Sequence, residues 1–179
     1  MVAKQLRPGG RSEAVRQRAF EAVIAELSEP SRLLSYDSLA RRAEINRATL
    51  YRNWPDPAQL IADTLASVLP GIGDAEPADL TEALFALAHE AQAVLRTTAG
   101  RTLIANVVAA AQSDPVIGQA VHTYWQGRIG HTVEASGVSV EKVKAAVGLV
   151  AGKLLFEALM FQRELPEREL RALIERALD

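Results

Sequence analysis

Arg47, Ala48, Thr49, Arg52 and Asn53 stand within seven residues, interleaved with Leu50 and, one residue further on, Trp54. On a helix, Leu50 and Trp54, four apart, fall on one face, and Arg47, Thr49, Arg52 and Asn53 fall on the other. An arginine at the start of such a helix can donate two parallel hydrogen bonds to a guanine edge. Ala48 and the methyl of Thr49 can touch thymine methyls. This is the chemistry of base reading, not of bond breaking. The spacing alone equally allows an ordinary helical hairpin in which Tyr51 and Trp54 only pack.

Chemistry of other kinds finds little support. The three histidines, His89, His122 and His131, have no metal-ligand spacing; on one helix His122 and His131 would lie roughly 14 Å apart along the axis. No glycine-rich phosphate loop follows a strand, and serine and aspartate occur mainly where helices begin. The chain has no cysteine, which excludes disulfides and thiolate-bound zinc and is compatible with a reducing cytoplasm. The expectation is a non-enzyme with no catalytic residues, no metal site and no cofactor.

The elements that must position the reading face are legible. Ser35 is a fair N-cap with Asp37 in the first turn, and Leu39, Ala40 and Ala43 make one apolar face. Glu44-Ile45-Asn46 interrupts that face; Ile45 is an inward plug and Asn46 caps the next helix. A bracing helix, a tight turn and a second helix ending at Trp54 form a helix-turn-helix, whose second helix enters the major groove by its N-terminal end. The free backbone N–H groups at Ser35 and Tyr36 would favour a phosphate.

The wording Leu39-Ala40, Ala43, Ile45, Thr49-Leu50-Tyr51 and Trp54, followed by Leu60-Ile61, resembles the DNA-binding segment of the tetracycline-repressor (TetR) family over residues 12 to 66. Beyond that segment the likeness extends only by length and helical pattern. The resemblance implies that the Tyr51 hydroxyl reaches a phosphate while its ring packs, and that Arg52 and Asn53 occupy variable contact positions. It also implies a homodimer, built by the last two helices, that binds palindromic double-stranded operator DNA and is released by a small ligand. Two residues depart from the pattern. Glu44 stands where the family has a turn glycine, at a cost of roughly a kcal/mol and with a negative charge near the DNA face. Pro57 stands where a phosphate-binding lysine is common, leaving the backbone N–H of Ala58 as a substitute.

The rest of the chain fits an all-α fold of about nine helices. Of its 179 residues 49% are hydrophobic and 5% aromatic, enough for a sizeable core with few strand formers. Residues 1–55 hold 10 Lys/Arg and 6 Asp/Glu, a balance of +4, whereas residues 56–179 hold 10 and 16, a balance of −6. A basic end on an acidic body suits a protein that offers one end to phosphates. Residues 1–11, with Lys4, Arg7 and Arg11, read as a basic arm without secretory features. Helix 1 is expected from Ser12 to Leu27, ended by Pro30. Helix 4 follows Asp56-Pro57 and stops at Pro70-Gly71. Residues 70–79 read as a linker, dividing an N-terminal DNA-binding domain (1–69) from an effector-binding and dimerisation domain (70–179). Further helices are expected over 80–96, 101–112, 115–135 and 140–163, with a last one opened by Pro166. The apolar stretch from Ala145 to Phe161 is broken by Lys153 and Glu157 and makes a poor membrane span.

Two further surfaces are predicted. A cavity for a small hydrophobic ligand is expected among Phe85, His89, Gln92, Asn106, His122, Tyr124, Trp125 and Phe156, with His89 and Trp125 foremost, because a buried imidazole or indole needs a polar partner. A dimer interface is expected on Val143, Val147, Gly148, Val150, Gly152 and Leu154, joined by Leu170 and Ile174 of the last helix. The eighth helix is apolar around most of its circumference and must be covered on more than one side. The reading is a cytoplasmic transcriptional regulator, most simply a repressor. A helical protein-interaction module and a DNA-binding regulator without effector remain the alternatives.

Overall fold

The computed structural model describes residues 10–29, 34–68 and 79–179 and, among them, is entirely helical. The helices are α1 (Gly10–Leu27), α2 (Tyr36–Ala43), α3 (Arg47–Asn53), α4 (Pro57–Val68), α5 (Leu80–Leu95), α6 (Thr98–Ala111), α7 (Pro115–Ser136), α8 (Val140–Met160) and α9 (Glu167–Leu178). The basic arm before Gly10, Pro30, and the linker as far as residue 78 lie outside the described residues.

Local chemistry sets most of the boundaries. Ser35, Asn46, Asp79, Thr97, Asp114 and Ser139 each accept a first-turn backbone N–H at the start of α2, α3, α5, α6, α7 and α8. Pro115 occupies the first turn of α7, and Gly137 ends that helix in the left-handed region at φ 65°. Three boundaries depart from expectation. Helix α1 begins at Gly10, so Ser12 lies inside its first turn. Helix α6 begins at Thr98, because the Thr97 hydroxyl caps the Gly100 N–H at 2.9 Å; a Cβ on Gly100 would fall 2.1 Å from the Val94 carbonyl oxygen. Arg101, expected to open that helix, instead donates to the carbonyls of Leu95 and Arg96 and closes the end of α5. Helix α8 stops at Met160, short of Arg163. Gln162 turns left-handed at φ 51°, and Arg163 folds back so that its backbone N–H and its guanidinium both reach Glu157.

The core does not divide at the expected domain boundary. One apolar cluster joins α1 to α4 and runs on through Leu103 and Val107 of α6 into Ile117, Ala120 and Tyr124 of α7. A second joins α5, α8 and α9 around Leu84, Val143, Val150, Leu170 and Ile174. Trp125 packs against both. Helix α4 rests mainly on α7, so the helix-turn-helix is mounted directly on the body of the protein. At about 25 cal/mol per Å² of apolar surface buried, such a shared core ties the two halves more strongly than exposed ion pairs would.

Candidate nucleic-acid interface and effector cavity

Helices α2 and α3 are joined by Glu44, Ile45 and Asn46. Glu44 adopts φ 53°, ψ 41°, the left-handed conformation that glycine would take without a Cβ penalty, and its N–H reaches the carbonyls of Ala40 and Arg41. The turn therefore keeps its geometry despite the substitution. Ile45 is buried as the plug, and Asn46 Oδ1 accepts the Ala48 N–H at 2.8 Å. Helix α3 is then fixed at its far end. The Tyr36 hydroxyl donates to the Trp54 carbonyl at 2.5 Å, and Trp54 Nε1 donates to Asp63 of α4 at 2.9 Å. The Trp54 ring lies 6.0 Å from that of Phe20 on α1. Burial, then the Asp56 carboxylate and Tyr51, push the Tyr36 hydroxyl up to about 12, so it remains a proton donor. Arg42 clamps α2 to Glu26 of α1 and to Glu29 just beyond its end, at 3.1 and 2.6 Å.

This scaffold leaves Arg47, Ala48, Tyr51, Arg52 and Asn53 exposed, while Leu50 is buried and Thr49 is half-covered. Arg47 donates to Asp37 at 2.7 Å and to the Tyr51 hydroxyl at 3.1 Å, so it lies along the edge of the face. The Tyr51 ring packs edge-on against Tyr36 at 4.6 Å. Asn53 turns back to the Thr49 carbonyl at 2.7 Å. Ser35 is exposed and caps α2, whereas the Tyr36 side chain is buried, so only its backbone could meet a phosphate. The Ala58 N–H, the expected substitute for a missing lysine, is taken by the Asp56 carboxylate at 2.9 Å. Asp37 is the residue the sequence reading left out of the face; its one signal was a carboxylate ten residues before an arginine across a tight turn.

The expected cavity residues do not meet in one place. A cavity of about 100 Å³ opens between α4, α5, α6, α7 and α8. Tyr124 and Trp125 line it, together with Leu65, Glu90, Val107, Arg128 and Leu155. The other six lie elsewhere. His89 is exposed and faces Glu167 of α9 at 3.8 Å. Phe85 packs under Arg171, and Gln92 is buried, its side-chain oxygen accepting the Leu165 N–H at 2.8 Å. Asn106 reaches the Ser28 carbonyl at 3.0 Å, tying α6 to the end of α1. His122 and Phe156 are exposed. Beside the expected Tyr124, the polar wall of the cavity holds Arg128 and Glu90, which were not among the expected ligand residues. Arg128 donates to the Tyr124 hydroxyl at 3.0 Å and pairs with Glu90 at 3.2 Å. The available signal was Arg128 four residues after Tyr124, on the same helical face.

The α8 surface is also corrected. Val143, Val147, Val150, Leu154, Leu170 and Ile174 are all buried inside the protomer, so they cannot be the surface a second chain meets. The exposed side of α8 carries Ala145, Gly148, Leu149, Gly152, Phe156 and Met160 at helical spacing, with Phe156 53% and Met160 64% accessible. Nothing approaches within 4 Å of a Cβ placed on Gly148 or Gly152. The outer side of α9 is charged, with Arg168, Glu169, Arg171, Glu175 and Arg176 all exposed.

The described residues thus form a braced helix-turn-helix mounted on a helical body that holds a partly open cavity. Solved structures give the more particular likeness: the chain has the fold of TetR-family transcriptional regulators. It is similar to the regulator SCO7518 of Streptomyces coelicolor A3(2), at 16% identity and TM-score 0.62, covering 92% of this chain and 98% of that one. It is similar to the TetR-family member SCO1917 of the same organism, at 18% identity and TM-score 0.58 over 92% and 98%. It is also similar to the flavonoid-responsive regulator FrrA, at 18% identity and TM-score 0.56 over 93% and 92%. No protein-family profile and no curated protein sequence matches the chain. Among the described residues no helix is long and apolar enough to cross a membrane, and no cluster of three or more His, Cys, Asp or Glu could hold a metal.

Proposed function

We propose that the protein is a TetR-type transcriptional regulator that acts as a homodimer on palindromic DNA and is released from it by a small molecule. The observation that carries the reading is the outward face of α3. Arg47, Ala48, Tyr51 and Arg52 are presented together on a helix whose ends are fixed by Asn46 and by the Tyr36–Trp54–Asp63 chain of hydrogen bonds. A base-reading helix must be rigid at both ends, because bidentate contacts tolerate little displacement.

Two subunits would meet through the exposed α8 stripe of Leu149, Gly152, Phe156 and Met160, with Gly148 and Gly152 allowing two backbones to cross closely. The recognition helices of the pair then address half-sites about 34 Å, one helical turn, apart or a multiple of it. Leu65 of α4 lines the cavity, and α4 carries the helix-turn-helix on α7. A ligand that fits better when α4 is displaced changes the separation of the recognition helices, and its effect is bounded by its differential affinity for the two shapes. Such a regulator would act in the cytoplasm, where its DNA lies.

The test is selection of bound fragments from random DNA, followed by gel shift on the recovered sequence. A palindrome bound with a strong salt dependence supports the reading, since neutralised phosphates release counterions. Binding to DNA without sequence preference, or none, sinks it and favours a protein-interaction role.

A further inference from the structure

We infer that the cavity between α4 and α8 takes a neutral, single-ring molecule bearing one hydrogen-bond acceptor, which the Tyr124 hydroxyl recognises. This rests on the proposed role of that cavity as an effector site and specifies the chemistry it selects.

Tyr124 is only 7% exposed. Its hydroxyl oxygen accepts from Arg128 at 3.0 Å, but no acceptor among the described residues takes its proton. A buried hydroxyl normally uses its donor as well as its acceptor capacity, so a donor left over at a cavity wall marks the place for an acceptor. Burial, the largest influence on this group, holds the hydroxyl above its ordinary range and so keeps it protonated.

The charge of the ligand follows from the neighbours. Arg128 and Glu90 are the two charged groups on the described cavity wall, and they face each other at 3.2 Å with side chains 10% and 26% exposed. An anion would be drawn to Arg128 but would have to share it with Glu90, and a cation meets the reverse problem. Either one loses its hydration in an aliphatic pocket without a partner of its own. Apart from the Trp125 indole N–H, a second donor, the remaining wall, including Leu65, Val107 and Leu155, offers apolar contact. At about 100 Å³ the space is smaller than the ~150 Å³ dry cavity that holds benzene in another protein, but it is partly open to solvent, so it limits a ligand to one ring with its substituent at the mouth. The Trp125 ring on the same wall, edge-on to Tyr124 at 5.3 Å, supplies a π face.

Three probes of matched shape separate the possibilities: acetophenone, α-methylstyrene, which replaces its carbonyl with a methylene, and benzoate. Binding to the full chain is read by quenching of tryptophan emission and by thermal shift, in the wild type and in Tyr124→Phe. Acetophenone should bind roughly two- to tenfold more tightly than α-methylstyrene, the worth of one net hydrogen bond, and Tyr124→Phe should erase that difference while α-methylstyrene binding stays the same. Benzoate should bind most weakly. If α-methylstyrene or benzoate binds as well as acetophenone, the cavity stands as a ligand site and the proposed chemistry falls. If none of the three binds saturably, both the chemistry and the effector reading of this cavity fall.

Discussion

Arg47 at the head of α3 is held by Asp37 in the first turn of α2, Nη1 to Oδ1 at 2.7 Å across the helix-turn-helix. Both side chains are largely exposed, so the pair is screened by solvent and contributes little to stability. Its consequence is for recognition, because Arg47 must exchange Asp37 for a base or phosphate on meeting DNA. Arg47→Ala is expected to weaken operator binding by about five- to 150-fold and to relax preference at one position of the half-site. Asp37→Ala should strengthen binding to all sequences by removing both the competitor and a negative charge. Binding-site selection with the two variants checks this; unchanged selection by Arg47→Ala would place the reading face in another register.

The hydrogen bond from Tyr36 to the Trp54 carbonyl sets the angle at which α3 leaves the core. Tyr36→Phe leaves that carbonyl without its partner, at a cost of about 1–3 kcal/mol. In a chain of this length the expected fall in Tm is about 2–10 °C, measured by circular dichroism. Operator affinity should fall with it. An unaltered Tm would mean that the contact does not hold the helix.

Two substitutions on α8 distinguish its faces. Phe156→Glu alters an exposed residue, so the chain should fold normally but elute and scatter light as a monomer, with specific DNA binding lost. Val147→Glu places a charge among buried residues, where an unpaired ion costs several kcal/mol, so that chain should unfold or aggregate. A dimer that survives Phe156→Glu, by light scattering at micromolar concentration, would move the interface elsewhere.

Glu157 is buried at the end of α8 between Lys153 and Arg163. Hydrogen bonds from Arg163, then from Lys153, lower its carboxyl from 4.5 to about 2. A carboxyl depressed in the folded state stabilises it fully above the unfolded value and loses that contribution as pH falls through the folded one. The protein should therefore lose stability between about pH 4.5 and 2 partly through this group. Glu157→Gln should lower Tm at neutral pH and flatten its dependence on pH across that window, as followed by thermal melts. A pH dependence identical to the wild type would remove Glu157 from the acid transition.

The sequence by itself determined what depends on neighbours along the chain. Ser35, Asn46, Asp114-Pro115 and Gly137 mark helix ends because caps and φ preferences act within a few residues. The spacing of Leu39, Ile45, Leu50 and Trp54 fixes which side of each short helix is apolar, and the wording around them, by its resemblance to a known family, made the pair a helix-turn-helix. The tertiary structure decided what depends on packing. Helix α8 is apolar nearly all round, so periodicity could not say which stripe its own α5 and α9 would cover; they cover Val143, Val147 and Val150 and leave Leu149 and Phe156 outside. His89 and Trp125 looked equivalent as polar-tipped core residues. Only the packing of α9 against α5 drew His89 outward to Glu167, while the closeness of α4 and α7 placed Trp125 at the cavity. Glu90 and Arg128 are 38 residues apart, and no local rule could have paired them.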